Sequence, residues 1–132
     1  MMTKRDLLRD LEIAKNATPG PWFAYHRGGV GGFDYEVTLP DDTFYVIAAE
    51  LSEHNAKFIA EAREGWPEAI RRAIEAENEL AQLRAEIQHH IDLMMSAAEL
   101  MSDDVDPEQR GKADAYLTVV KALREILDCK TE

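Results

Sequence analysis

Cys129 is the single cysteine among 132 residues, so the chain can neither staple itself with internal disulfides nor build a multi-cysteine zinc cluster. That usage fits a reducing compartment. A long apolar run is also missing: Met1-Met2-Thr3-Lys4-Arg5-Asp6 leads into an acidic amphipathic stretch, not into the apolar core of a signal peptide. A cytoplasmic protein with no membrane partner is expected. Basic residues are scarce, 15 Lys and Arg against 26 Asp and Glu, which leaves a formal net charge of −11. Such a field repels nucleic-acid phosphates, so neither DNA nor RNA is expected as a partner. The length matches one domain, and a chain of this size buries about two thirds of its unfolded surface.

Thr3, followed by Asp6 and then by Leu7, Leu8, Leu11 and Ala14 at helical spacing, predicts a short helix over about 4–15 with Thr3 as its cap. Ala17-Thr18-Pro19-Gly20-Pro21 denies the backbone a helix and aims it into a strand near Trp22. Aromatic and β-branched residues then predict strands over 22–26, 33–38 and 43–48, joined by Gly28-Gly29-Val30-Gly31-Gly32 and by Leu39-Pro40-Asp41-Asp42. A small antiparallel meander results.

Ser52 caps an expected helix to about 64, and Gly65-Trp66-Pro67 reads as an interruption, with Pro67 opening a second helix that runs to about 101. Asp106-Pro107-Glu108-Gln109 combines an N-cap, a proline at the first helical position and a capping-box glutamine. Ala113, Tyr116, Leu117, Val120, Leu123 and Leu127 follow at spacings of three and four, so a last helix folds back on the long one. The expected fold is α+β: a short helix, meander and connecting helix over 1–66, then a helical hairpin over 67–132. The hairpin's apolar stripes exceed what the sheet covers, which predicts a homo-oligomer, at least a dimer, assembled through the hairpin.

Catalytic chemistry is hard to find. His89 and His90 are adjacent on a helix and point about 100° apart, so they do not share a metal ion. Glu75, Glu79, Glu86 and Asp92 lack the facing paired carboxylates that a two-metal hydrolase needs, and Asp103, Asp104 and Asp106 lack the glycine and distal glutamate of a calcium loop. The glycine loop has no P-loop lysine. Cys129 has no evident activating partner. No metal, cofactor or catalytic set is expected. Cations beside an aromatic are present at the start of the last helix, Arg110 and Lys112 with Tyr116, the pairing that a phosphate and a base require. Tyr116 also continues the apolar line of its helix, where a core role takes precedence.

The blocks Ala17-Thr18-Pro19-Gly20-Pro21-Trp22, Phe58-Ile59-Ala60-Glu61-Ala62-Arg63 and Trp66-Pro67 resemble the ATPGPW and FIAxAR pattern of small phage and prophage proteins. His54-Asn55 stands where many of those proteins carry an Asn-Asp pair. The order of small antiparallel sheet and two long helices is also similar to that of the Thoeris anti-defence sponges, which oligomerise and sequester cyclic ADP-ribose-type immune signals. What the resemblance implies is a non-catalytic protein of the host cell cytoplasm that holds a cyclic nucleotide or cyclic ADP-ribose-type ligand, with Tyr25, Arg27, Arg110, Lys112 and Tyr116 as ligand-binding candidates. The alternative is an acidic protein–protein interaction module that inhibits a host protein.

Overall fold

A computed structural model describes residues 4–129, and the architecture is α+β. Helix α1 spans Leu7–Asn16, strands β1, β2 and β3 span Phe23–His26, Tyr35–Leu39 and Asp42–Leu51, and helices α2 and α3 span Glu53–Ser102 and Pro107–Asp128. By contact the chain divides into two compact units, Met1–Ala76 and Glu77–Glu132.

In the first unit α1 starts later than its sequence suggests. Asp6 is the cap: its carboxylate accepts from the amides of Leu8 and Arg9, both at 3.1 Å, satisfying donors that have no partner inside the helix. The expected cap, Thr3, lies outside the described residues. Arg5 reaches over the same turn and grips Asp10 with two bonds, Nε to Oδ2 at 2.7 Å and Nη2 to Oδ1 at 2.6 Å. That pairing holds the Asp10 carboxyl below its usual range and allows Asp10 to sit buried.

The sheet is antiparallel in the order β1-β2-β3. β3 is longer than the pattern suggested and carries bulges: Tyr35 pairs with Leu51 and Val37 with Ala48, so three steps on β3 oppose two on β2. Glu50, at φ 56°, takes up the extra residue. On the inner face Val37 is fully buried against Ala56 and Ala60 of α2, with Trp22, Ala24, Tyr35 and Ala48 packed around them. Two alanines one turn apart let the helix lie close on the strand. This is the core of the unit.

The expected interruption at Gly65-Trp66-Pro67 does not occur. α2 passes through it, with Pro67 inside the helix. Pro67 has no N–H for the Arg63 carbonyl four residues back. The ring is nevertheless buried, as is Ile70 one turn later, so packing on this face offsets part of the cost of the missing bond.

The second unit contains the rest of α2 and all of α3. Arg84 Nη1 donates to the Leu127 carbonyl at 3.1 Å, and since both lie at similar distances from the Asp103–Asp106 loop, the helices run antiparallel. Ile91 and Ala98 on α2, and Ala113 and Val120 on α3, are buried. Each pair is seven residues apart. Half-buried residues fill the intervening positions: Arg84, Ile87, Met94 and Met101 on α2, and Gln109, Tyr116, Leu123 and Leu127 on α3. Alternating steps of three and four are the signature of a coiled-coil seam, with its two buried alanines toward the loop end. Asp106 caps α3 by accepting from the Glu108 amide at 2.9 Å, and Pro107 opens the helix as expected. The reciprocal capping-box bond expected from Gln109 is replaced: the Asp106 amide donates to Asp104 Oδ1 at 2.9 Å.

Candidate functional site

Three blocks of the sequence, 17–22, 58–63 and Trp66-Pro67, meet in the first unit. The Thr18 carbonyl accepts two bonds, from Trp22 Nε1 at 3.1 Å and from Arg63 Nε at 2.9 Å. Arg63 also lies over the Trp22 ring, 5.6 Å from its centroid, where the guanidinium is attracted by the ring's negative face. Gly20 lets the loop approach α2: a Cβ there would fall 2.9 Å from Arg63 Cγ and would collide with Glu64 Oε1. The blocks therefore form a clasp that ties the loop between α1 and β1 to α2.

Beside the clasp lies an open apolar groove of about 590 Å³, lined by Phe58, Glu61, Ala62, Gly65 and Trp66. Its walls are Phe58, 74% exposed, and Trp66, 39% exposed, two helical turns apart; Ala62 and Gly65 make a floor with little side-chain bulk. A smaller cavity of about 190 Å³ adjoins it, sharing Phe58, Ala62 and Trp66 and reaching Ala14, Trp22 and Pro67. Arg63 is engaged by Thr18, and Glu61 is the groove's one ionisable wall residue. The groove can hold an apolar group. It has no nucleophile and no base paired to one.

Of the residues anticipated for ligand binding, Tyr25 and Arg27 lie together on the outer face of the sheet. Tyr25 is half-buried and stands opposite Glu36 in the β1–β2 register. Arg27 Nε pairs with Glu36 Oε1 at 2.9 Å. Glu36 is buried; its Oε2 and the Thr38 hydroxyl have no hydrogen-bond partner among the described residues. Arg27 is thus occupied in neutralising a sheltered carboxylate. In the second unit Arg110 is exposed, Lys112 Nζ pairs with Glu108 at 3.0 Å, and Tyr116 is half-buried in the hairpin seam.

The glycine loop is exposed, with Gly28 and Gly32 at φ 88° and 77°. It is closed by Arg27 N donating to Asp34 O at 2.9 Å and by His26 Nε2 against Asp34 Oδ2 at 2.6 Å. His89 and His90 have ring centroids 6.0 Å apart, and among the described residues no group of three or more His, Cys, Asp or Glu side chains is placed to hold a metal ion. Among them, too, no helix is long and apolar enough to cross a membrane. Sequence reasoning missed the groove. Phe58 and Trp66, at spacing i and i+8 around an alanine and a glycine, carry the signal that would have found it. Compared with family models, curated proteins and solved structures, the chain matches none.

Proposed function

We propose that the chain is a non-catalytic binding protein that works as an oligomer, at least a dimer, and docks an apolar side chain of a protein partner between Phe58 and Trp66. The observation that carries this reading is the groove: two large exposed apolar walls over a floor of small residues, beside a clasp that leaves Arg63 engaged. Exposed apolar surface of this kind is costly to leave wet and marks contact sites. The net charge of −11 and the rim position of Glu61 favour a partner with basic groups around its apolar anchor. This is the acidic interaction module, inhibiting the host protein it binds. Pull-down from host lysate with the wild type and Phe58→Glu tests it. A protein retained by the wild type and lost with Phe58→Glu is expected; equal recovery by both removes the groove from the reading.

Sequestration of a cyclic nucleotide or cyclic ADP-ribose-type signal, with the phage-type origin that the resemblance implies, is the second reading. The exposed Arg110 and the neighbouring Lys112 at the start of α3 favour it, because helix N-termini and cations together suit phosphate. Against it, Arg27 and Lys112 are already paired with Glu36 and Glu108. Calorimetry with a panel of cyclic nucleotides and cyclic ADP-ribose isomers is its test, and no heat with any of them removes it.

A further inference from the structure

The hairpin has a second apolar surface besides its seam. With the seam residues taken as positions a and d of a heptad, Leu83 and Ala97 on α2 and Val119 and Ile126 on α3 fall at position g, while Leu93 and Leu100 fall at c. In an antiparallel pair, g and c of both helices lie on the same flank. Leu83, Leu93, Leu100, Val119 and Ile126 are 53%, 54%, 84%, 44% and 60% exposed. The opposite flank, at e and b, is mostly polar, with Gln88, Asp92, Arg110, Asp114 and Arg124. Leu117, 41% exposed, is the one large exposed apolar residue on that flank among the described residues, so the exposed apolar side chains gather on the other.

We infer that the Leu83–Leu93–Leu100 and Val119–Ile126 flank is the face through which two copies of this chain pair, as a four-helix arrangement with a two-fold axis perpendicular to the hairpin. The inference rests on the oligomeric part of the function proposed above and assigns it a surface. Two arguments select a second copy as the occupant. The first is area: the five side chains expose roughly 500 Å² on each protomer, so a symmetric pairing covers about 1,000 Å² before the flanking alanines are added, the level at which a specific interface begins. The second is charge. Within this flank Glu86 lies toward the open end of the hairpin and Lys112 toward the loop, each seven residues from its middle near Leu93 and Val119. A two-fold axis through that middle brings each Glu86 to the height of the partner's Lys112, whose bridge to Glu108 in its own chain is solvent-exposed and leaves ammonium hydrogens for a second carboxylate. An isologous contact demands this self-complementarity, because the same patch is both surfaces.

Sedimentation velocity of the full-length protein between about 1 and 100 μM tests the inference. The wild type should be dimeric at the upper end, Leu93→Glu should weaken association at least tenfold with unchanged helical circular dichroism, and Leu117→Glu on the opposite flank should leave the dimer intact. Glu86→Lys should weaken it and Glu86→Lys with Lys112→Glu should restore it. A monomeric wild type throughout overturns both this inference and the oligomeric reading beneath it. A dimer that survives Leu93→Glu, or falls apart with Leu117→Glu alone, keeps the oligomer and overturns this face.

Discussion

Replacing Ile91 by alanine is the sharpest test of the hairpin's register. Ile91 has no exposed surface and is the largest fully buried side chain among the described residues. Truncation removes three carbon groups from the seam, roughly 2.4 kcal/mol at about 0.8 kcal/mol for each, and leaves a cavity that raises the cost. Neighbouring Ile87 and Met94 are only half-buried, so they can settle partway into the space, which keeps the total near 3 kcal/mol, at the lower part of the range for such substitutions. With a urea m-value of about 1.5 kcal/mol/M, the midpoint followed by circular dichroism at the helix band should fall by about 2 M. Ser96→Ala, on the exposed back of the same helix, should remain within about 0.5 kcal/mol of wild type. If Ile91→Ala shifts the midpoint no more than Ser96→Ala does, the seam does not run through Ile91, and the assignment of the apolar flank falls with it.

Gly20→Ala should open the clasp, costing about 1–3 kcal/mol by overpacking, with a red-shifted tryptophan emission as the readout; unchanged emission and stability would show that Glu64 and Arg63 yield freely. Pro67→Ala supplies the missing N–H to Arg63 and removes an unfavourable helix residue, an intrinsic gain of about 3 kcal/mol partly offset by the lost packing of the buried ring, so the melting temperature should rise; a fall would mean that burial of the ring dominates. Arg5 lowers the Asp10 carboxyl below its ordinary value, so this pair stabilises the folded state fully above the unfolded carboxyl pKa of about 3.9 and loses that contribution as pH falls through the lower folded value. Arg5→Gln should flatten that acid limb in a pH series of melting temperatures, and an identical limb in both proteins would refute the role of the pair.

Most of the fold is legible in the sequence because the forces that make it are local. Asp106-Pro107 announces a helix start through a cap and a fixed φ, and both act as expected. The meander is readable from β-branched and aromatic runs separated by turn formers, although the length of β3 is not, since its bulges depend on how Leu51 and Ala48 are drawn to the inner face. Pro67 misleads for a related reason. Its local chemistry argues for a break, and the burial that overrides it comes from residues far away in the sequence. Spacing points to Thr3 as the first cap, whereas Asp6 is the residue whose carboxylate accepts from Leu8 and Arg9. The candidate site is less legible. Arg27 and Lys112 look free in a string of letters, whereas Glu36 and Glu108 hold them in the folded chain.

The clasp bears on what a resemblance between short sequence blocks can transmit. Trp22 and Arg63 share one carbonyl, Gly20 clears the space between loop and helix, and Pro67 is buried on the same side. Each of these residues is committed to bringing the loop onto α2, which explains why these residue types belong together without any ligand. The pattern is thus accounted for by the fold, without assigning what the chain binds. The residues left over for binding are the ones the clasp does not use: Phe58, Glu61 and the outward edge of Trp66 around the groove. Changing Phe58 therefore tests function with the clasp intact, whereas changing Arg63 or Trp22 tests the fold. A Phe58→Glu variant that keeps wild-type thermal stability but loses its partner would separate the two roles on neighbouring turns of one helix.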